Sequence, residues 1–401
     1  MALPCELIDE ILCRLSVKYL LRYRCVSKGW CSLIDSTPFI KKHLKRNLEG
    51  AGGRLLIDSG AGNFNLVEGF ESNFDGGDDD DAVAVEIKDP LKTLLSGSCF
   101  VGAANGLVCV SKNRMNDVLI FNPSTRKLRE IPSAPAEYPR SFHTTESSLC
   151  GFGYDGVNDD YKVVKIAELY LQFRGIMAIV YSLKTNSWKR IQNVPTNTRF
   201  CGGRGMFASG ALHWLAVKNP TKCREIIVGF DLGLEQFREV PFPAIKRPII
   251  YYNTRFLISD GESLCFIDNY PNSHSDVWLM NIHSGAETLW SKALSVEQHG
   301  ILGSFMFFRP VAVPKSGESV LLKVNVSGGR TKLVWYDLKR KTIKNVKIRG
   351  TLNKFDSHEY TESLIQLTKD KLLQRPSKQK PEKKQQKRRD DFLSKGFKLR
   401  L

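Results

Sequence analysis

The stretch VLIFNPSTRKLREIP, residues 118–132, runs four apolar residues into Asn122, turns through Pro123, Ser124 and Thr125, and returns with Leu128 and Ile131 set among charged residues. An apolar run, a cluster of turn residues and a second run read as two strands joined by a tight turn. The same order recurs in IVYSLKTNSWKRI at 179–191, IVGFDLGLEQFREVP at 227–241, DVWLMNIHSGAETLW at 276–290 and KLVWYDLKRKTIKNV at 332–346. GNFNLVEGF at 62–70 is a weaker copy. Marked by their polar residues, Asn65, Asn122, Ser182, Asp231, Asn281 and Asp337, the copies step by 57, 60, 49, 50 and 56 residues.

A strand repeat of about 50 residues is a four-stranded sheet that cannot cover its own faces and must stack on its neighbours. The copies therefore predict a β-propeller of six blades, kelch-like in size, over residues 53–368, although the double glycine of kelch repeats is missing. GFGYDG at 151–156 has the spacing of a dinucleotide loop, but VNDDYKVVKI continues as a turn and a strand where a helix is needed, so a strand-to-strand turn is expected. DGGDDDD at 75–81 lacks the spaced ligands of a calcium loop and is expected in a solvated loop. His213, Trp214 and Trp188 stand in strand-like settings and are expected in the core. Trp188→Ala should then cost about 3 to 5 kcal/mol.

Residues 1–48 have another rhythm. Pro4 suits a first helical turn, and Leu7, Ile8, Ile11, Leu12 and Leu15 follow at helical spacing along one side. Val17, Leu20, Leu21 and Val26 form a second group, Ser27 is a candidate N-cap for a helix carrying Trp30, Leu33 and Ile34, and Phe39, Ile40 and Leu44 mark another helix over 36–46. A unit of about 45 residues is marginal alone and leaves some of these side chains uncovered. Periodicity leaves two readings: half of an interface, or a cap packed on the downstream domain.

The pattern LPxELIxEILxRLxVKxLLRxRxVSKxWxxLIxSxxF over 3–39 resembles the F-box motif. The resemblance implies a helical hook that docks on a Skp-type adaptor and through it a cullin, with Leu3, Pro4, Leu7, Ile11, Leu15, Leu20, Leu21, Val26 and Trp30 at the positions that build or present the hook. Downstream, NGLVCV at 105–110, FNPSTRKLREIP at 121–132, GFGYDGVNDDYKVVKI at 151–166, YSLKTNSWKRI at 181–191, GALHWLA at 210–216 and ESLIQL at 362–367 resemble the F-box-associated domain of plant proteins. In that family the domain recruits the substrate.

Of the chain's net charge of +17, the 13 Lys/Arg and 4 Asp/Glu of residues 369–401 supply +9. A basic tail on a mildly basic body is not a basic groove, so no nucleic-acid partner is expected. No run of 18 apolar residues occurs, so no membrane span is expected. Ten cysteines without a CxxC pair or a Cys/His cluster point to buried reduced thiols, with neither metal nor cofactor. No GxSxG, HExxH or P-loop pattern occurs, and no cysteine or zinc pattern for handling ubiquitin. A non-catalytic receptor is expected.

The tail begins as Lys, Gln and Pro, a composition that stays disordered. Its end differs: Phe392, Leu393, Phe397, Leu399 and Leu401 add apolar residues suited to docking, and Lys383, Lys384, Lys387, Arg388 and Arg389 fit a nuclear import signal. KRRDDFLSKGFKLRL at 387–401 resembles the C-terminal end of a plant F-box protein that restrains defence. That resemblance implies nucleotide-binding leucine-rich-repeat immune receptors as clients for ubiquitination and proteasomal degradation, in nucleus and cytoplasm. The expected whole is an α+β multidomain chain: a helical F-box over 1–48, an all-β propeller over 53–368 and a mostly disordered basic tail over 369–401. The alternatives are a non-degradative scaffold and a propeller enzyme.

Overall fold

The computed structural model describes residues 5–50, 54–60, 62–68, 80–87, 91–112, 117–135, 148–169, 175–219, 224–245, 255–259, 263–270, 273–282, 288–297, 305–312, 319–326, 329–349 and 353–367. Leu3, Pro4, residues 75–79 of the acidic run and the whole basic tail, with Lys387, Arg388, Arg389, Phe392, Leu393 and Phe397, lie outside them.

Four short helices open the chain: α1 Cys5–Cys13, α2 Val17–Tyr23, α3 Lys28–Ile34 and α4 Thr37–Glu49. Two start where a serine can cap them. The Ser27 hydroxyl accepts the Trp30 N–H at 3.1 Å and the Ser36 hydroxyl accepts the Phe39 N–H at 3.4 Å, each satisfying a donor that has no partner within its helix.

Among the described residues the remaining regular elements are strands, apart from α5 Leu91–Leu95. The first run is β1 Arg54–Asp58, β2 Phe64–Glu68 and β3 Asp80–Glu86, followed by β4 Cys99–Ala104, β5 Leu107–Lys112, β6 Asp117–Asn122 and β7 Lys127–Glu130. Next come β8 Ser148–Asp155, β9 Asp160–Leu169, β10 Gly175–Ser182 and β11 Ser187–Arg190, then β12 Thr198–Ala208, β13 Ala211–Lys218, β14 Arg224–Asp231 and β15 Gln236–Val240. The last runs are β16 Arg255–Ser259, β17 Leu264–Tyr270, β18 His274–Ile282 and β19 Thr288–Glu297, then β20 Phe305–Ala312, β21 Ser319–Val326, β22 Arg330–Asp337 and β23 Ile343–Arg349, with β24 Asp356–Tyr360 closing the chain. β24 returns to pair antiparallel with β1, Leu56 opposite His358, so the two ends of the strand region share a sheet. Strands of different runs lie against one another: β4 meets β8 and β12, β12 meets β16, β20 meets β24, and β24 meets β4. The arrangement is propeller-like.

Six separate blades were expected, and the hydrogen bonding corrects that count. The strands form four sheets, two of four strands and two of eight. Each eight-stranded sheet arises where two antiparallel runs are joined edge to edge by a short parallel pairing: β12 with β8 through Arg204–Cys150 and Gly205–Gly151, and β23 with β3 through Val346–Asp80 to Arg349–Val83. The acidic run is corrected with it, since Asp80 and Asp81 belong to β3.

The repeated motif proves to be a turn device. Asn122, Asp155, Asp231 and Asp337 each accept the N–H groups two and three residues on through one side-chain oxygen. Ser182 accepts the Thr185 N–H. Four residues after each of these five residues, of which Asp155 lies outside the repeat, the chain takes a positive φ: Arg126 at 59°, Asp159 at 50°, Asn186 at 56°, Glu235 at 55° and Lys341 at 54°. The side chain substitutes for a backbone partner while the chain reverses. Asn65 is not such a turn; it sits mid-strand in β2, opposite Ile57 and Glu86. The side chain of Asn281 lies outside the described residues.

Trp214 and Trp335 are fully buried, and His213 is buried beside Trp214, its Nδ1 3.4 Å from the Met206 carbonyl. Burial holds that imidazole down to about 4, so it stays neutral. GFGYDG is strand β8 and its turn, as expected. Trp188 departs from expectation because it bridges two runs and is only partly buried. Its Nε1 donates to the Pro132 carbonyl at 2.7 Å, its ring lies 5.2 Å from Tyr181, and Trp290 makes the same bond to the Pro241 carbonyl at 2.6 Å. Trp188→Ala is accordingly expected to cost about 2 kcal/mol and Trp214→Ala about 3 to 5, separable in denaturant unfolding curves. The buried-thiol expectation holds for Cys13, Cys109, Cys150 and Cys265, while Cys25 and Cys99 are exposed at the surface.

Candidate adaptor-binding face

The helical unit sorts its apolar residues by direction. Leu12, Cys13, Val17, Leu20, Ile34, Phe39 and Ile40 close a core, with Ile8, Leu15, Leu21, Leu33 and Trp30 partly buried around it. Leu7, Ile11 and Val26 point away from that core and stay 51, 52 and 60% exposed. Of the motif residues, Leu20 therefore builds the unit from inside, Leu15, Leu21 and Trp30 sit at its margin, and Leu7, Ile11 and Val26 present apolar surface. The side of α1 expected to be continuous is split, with Leu12 inward and Leu7 and Ile11 outward. Tyr19 and Tyr23 of α2, absent from the sequence reading, are exposed as well, and Tyr23 meets the edge of Trp30 at 5.8 Å. Among the described residues, the large exposed apolar side chains outside residues 7–48 are Val157 and Leu234.

Ion pairs lock α1 to α4. Lys42 meets Asp9, and Glu10 is shared by Lys42 at 3.3 Å and Arg46 at 3.5 Å. These pairs are exposed and individually weak. The firmer link is a buried relay. His43 Nε2 lies 2.9 Å from the Leu15 carbonyl, which can only accept, so Nε2 carries the proton and Nδ1 accepts from Asn47 Nδ2 at 3.4 Å. Burial pushes the His43 imidazole below its ordinary pKa and keeps that tautomer neutral. Asn47 Nδ2 also donates to the Glu362 carbonyl at 3.0 Å.

Glu362 begins the segment that fastens the helices to the strands. Leu364 enters the helical core. From the other side, Asn122 Nδ2 donates to the Ser363 and Ile365 carbonyls, both at 3.0 Å, while its Oδ1 holds its own turn. Gly106 faces the same segment at φ 81°, and a Cβ there would stand 2.3 Å from the Ser363 hydroxyl. Lys41 reaches Asp159 at 2.6 Å as a second tether. ESLIQL is thus a brace between the helical unit and the ring. Asn122→Ala removes the hydrogen bonds to Ser363, Ile365 and its own turn and leaves the buried Ser363 carbonyl and the part-buried Ile365 carbonyl without that donor, so it is expected to cost roughly 2 to 4 kcal/mol. Asp337→Ala, the same turn without the brace, should cost at most about 1 kcal/mol in the same unfolding assay.

A helical hook with outward Leu and Ile side chains, braced to a propeller-like ring of strands, defines an F-box protein with an F-box-associated β-propeller domain. The sequence comparisons agree: residues 1–42 match the F-box domain and residues 77–369 the F-box associated beta propeller domain, and the chain belongs to that family. It is 32% identical to the F-box protein CPR1 of Arabidopsis thaliana, across 100% of this chain and 99% of that protein. It is also 30% identical to the Arabidopsis F-box protein At4g22390, across 99% of each, and 28% identical to the F-box/kelch-repeat protein At3g23880, across 82% of this chain and 89% of that one. None of the three is named as an enzyme. The F-box implies a Skp-type adaptor as partner, and among the described residues no helix is long and apolar enough to cross a membrane.

Proposed function

We propose that this chain is the substrate receptor of a Skp–cullin–F-box ubiquitin ligase that restrains plant defence by delivering nucleotide-binding leucine-rich-repeat immune receptors to the proteasome. The observation that carries the ligase reading is the outward set Leu7, Ile11 and Val26 on a unit braced to the strand domain. One end grips the adaptor through that set and the other holds the client, so the client's lysines stay near a charged conjugating enzyme. Catalysis is by proximity, through raised effective concentration, and needs no catalytic group on this chain. The immune clients follow from the resemblance at 387–401, and the basic residues there, with Lys383 and Lys384, would take the receptor into the nucleus as well as the cytoplasm.

The test is to express the full chain in plant cells and follow an immune receptor's half-life with and without a proteasome inhibitor. A half-life shortened by the chain and restored by the inhibitor supports the reading. Adaptor binding without any change in client turnover makes the chain a scaffold. Removing residues 387–401 should abolish turnover or relocate the protein while the melting curve of the strand domain stays in place.

A further inference from the structure

The strand domain gathers positive charge at one partly exposed point. Arg204 of β12, Arg309 of β20 and Lys323 of β21 all meet Asp356 of β24. Arg204 Nη2 lies 3.2 Å from Asp356 Oδ2, and Arg309 Nη2 and Lys323 Nζ lie 3.0 and 2.8 Å from Oδ1. Arg309 Nη2 also donates to the Ser357 carbonyl at 3.0 Å. The partners stand 152, 47 and 33 residues from Asp356 in sequence, so only closure of the strand ring assembles them.

Three cations thus share one carboxylate. The neighbouring acid is Asp58, which pairs with Asp356 across β1 and β24, and burial together with the Asp356 charge pushes its carboxyl above the usual range. His358 adds no further positive charge: burial holds its imidazole well below its ordinary value, so it is neutral, with Nε2 3.7 Å from Asp356 Oδ2. Its ring stacks on Phe100 at 3.5 Å, and the Arg204 guanidinium lies 5.9 Å from the Phe100 centroid. His358 is 8% exposed, and among the described residues neither its Nε2 nor Arg309 Nε has a hydrogen-bond partner.

The Arg204, Arg309 and Lys323 side chains are 31, 20 and 14% exposed and Asp356 23%, and positive charge in excess at such a partly desolvated point favours a group that brings more acceptors. The group that fits two guanidiniums and an ammonium is an oxyanion with several oxygens, because guanidinium forks take such oxygens in pairs and ammonium adds a point charge. We propose that Arg204, Arg309, Lys323 and His358 form a binding site for a phosphate group inside the strand domain. The site does not rest on the ubiquitin-ligase reading, since it needs neither adaptor nor client. The phosphate has two possible bearers, a small phosphorylated metabolite or a phosphorylated side chain of a bound protein.

The test uses the purified full chain, melted in sodium phosphate or sodium pyrophosphate against sodium chloride of equal ionic strength. The phosphate salts should raise the melting temperature by several degrees when well above the dissociation constant. Arg204→Gln, the most exposed of the three cations and so the least disruptive to change, should remove most of that rise, and Arg204→Lys should restore part of it. Lys323→Gln should behave like Arg204→Gln. Equal rises in wild type and Arg204→Gln, or no rise in wild type, would overturn the site. Titration with pyrophosphate and with phosphoserine then assigns the bearer: tighter pyrophosphate supports a metabolite, tighter phosphoserine a modified protein.

Discussion

Replacing Leu7 and Ile11 together by Asp is expected to weaken binding to a Skp-type adaptor by at least about 100-fold without lowering the melting temperature of the full chain. Both side chains are about half exposed in the free protein, whereas Leu12 and Leu20 beside them are sealed. Covering the exposed half of a Leu and an Ile is worth about 0.8 to 1.5 kcal/mol each, and each 1.4 kcal/mol is a factor of ten. Buried carboxylates would add a desolvation penalty to that loss. The free chain loses no core contact, so circular dichroism and the melting curve should match wild type. Leu20→Asp is the contrast, since it places a carboxylate inside the helical core and should unfold that unit. If the double change binds the adaptor as wild type does, Leu7 and Ile11 are not in the interface and the exposed surface has another purpose.

The second large effect is at Gly205. Its parallel pairing with Gly151 brings β12 and β8 together under Trp214. A Cβ on Gly205 would lie 2.4 Å from Trp214 Cζ2, and one on Gly151 would lie 2.9 Å from Leu212 and 3.0 Å from Trp214. Trp214 has no room to retreat, being 1% exposed and edge-on to Phe200 at 6.3 Å. Gly205→Val must therefore displace the indole or break the pairing. Overpacking of this kind costs about 1 to 3 kcal/mol, and losing the Trp214 packing about 3 to 5 more. Against a total stability of about 5 to 15 kcal/mol, an aggregated or partly unfolded chain is expected. Gly203→Ala, where a Cβ meets nothing within 4 Å, should melt with wild type. Trp214→Leu should cost less in the Gly205→Val background than alone, because the indole and the added methyls compete for one space. Strict additivity of the two changes would show that the close approach is not what requires glycine.

Much of the candidate face was legible locally. Ser27 caps the helix it precedes, and the outward residues Leu7, Ile11 and Val26 all belong to the motif read from residues 3–39. Direction was not legible, because Leu7 and Leu12 look alike in a periodic pattern and differ only in what packs on them. His43 and Asn47 gave no signal, since their partners are Leu15 and, 315 residues away from Asn47, Glu362.

The same division runs through the strands. Sequence alone determined the repeating turns, because a short polar side chain bonding to a nearby N–H group is a short-range event that four copies display. It failed at Asn65, where the sheet is completed by β24 from the far end of the chain and no local pattern encodes the pairing. It also misjudged the number of sheets, since two-residue and four-residue parallel joins between runs leave no periodicity to read. The gathering of Arg204, Arg309 and Lys323 on Asp356, and the brace that ties Asn122 to residues 363 and 365, were decided by tertiary structure alone. Hydrogen bonds and charges act over a few ångströms, and only closure of the ring brings such distant residues within that reach.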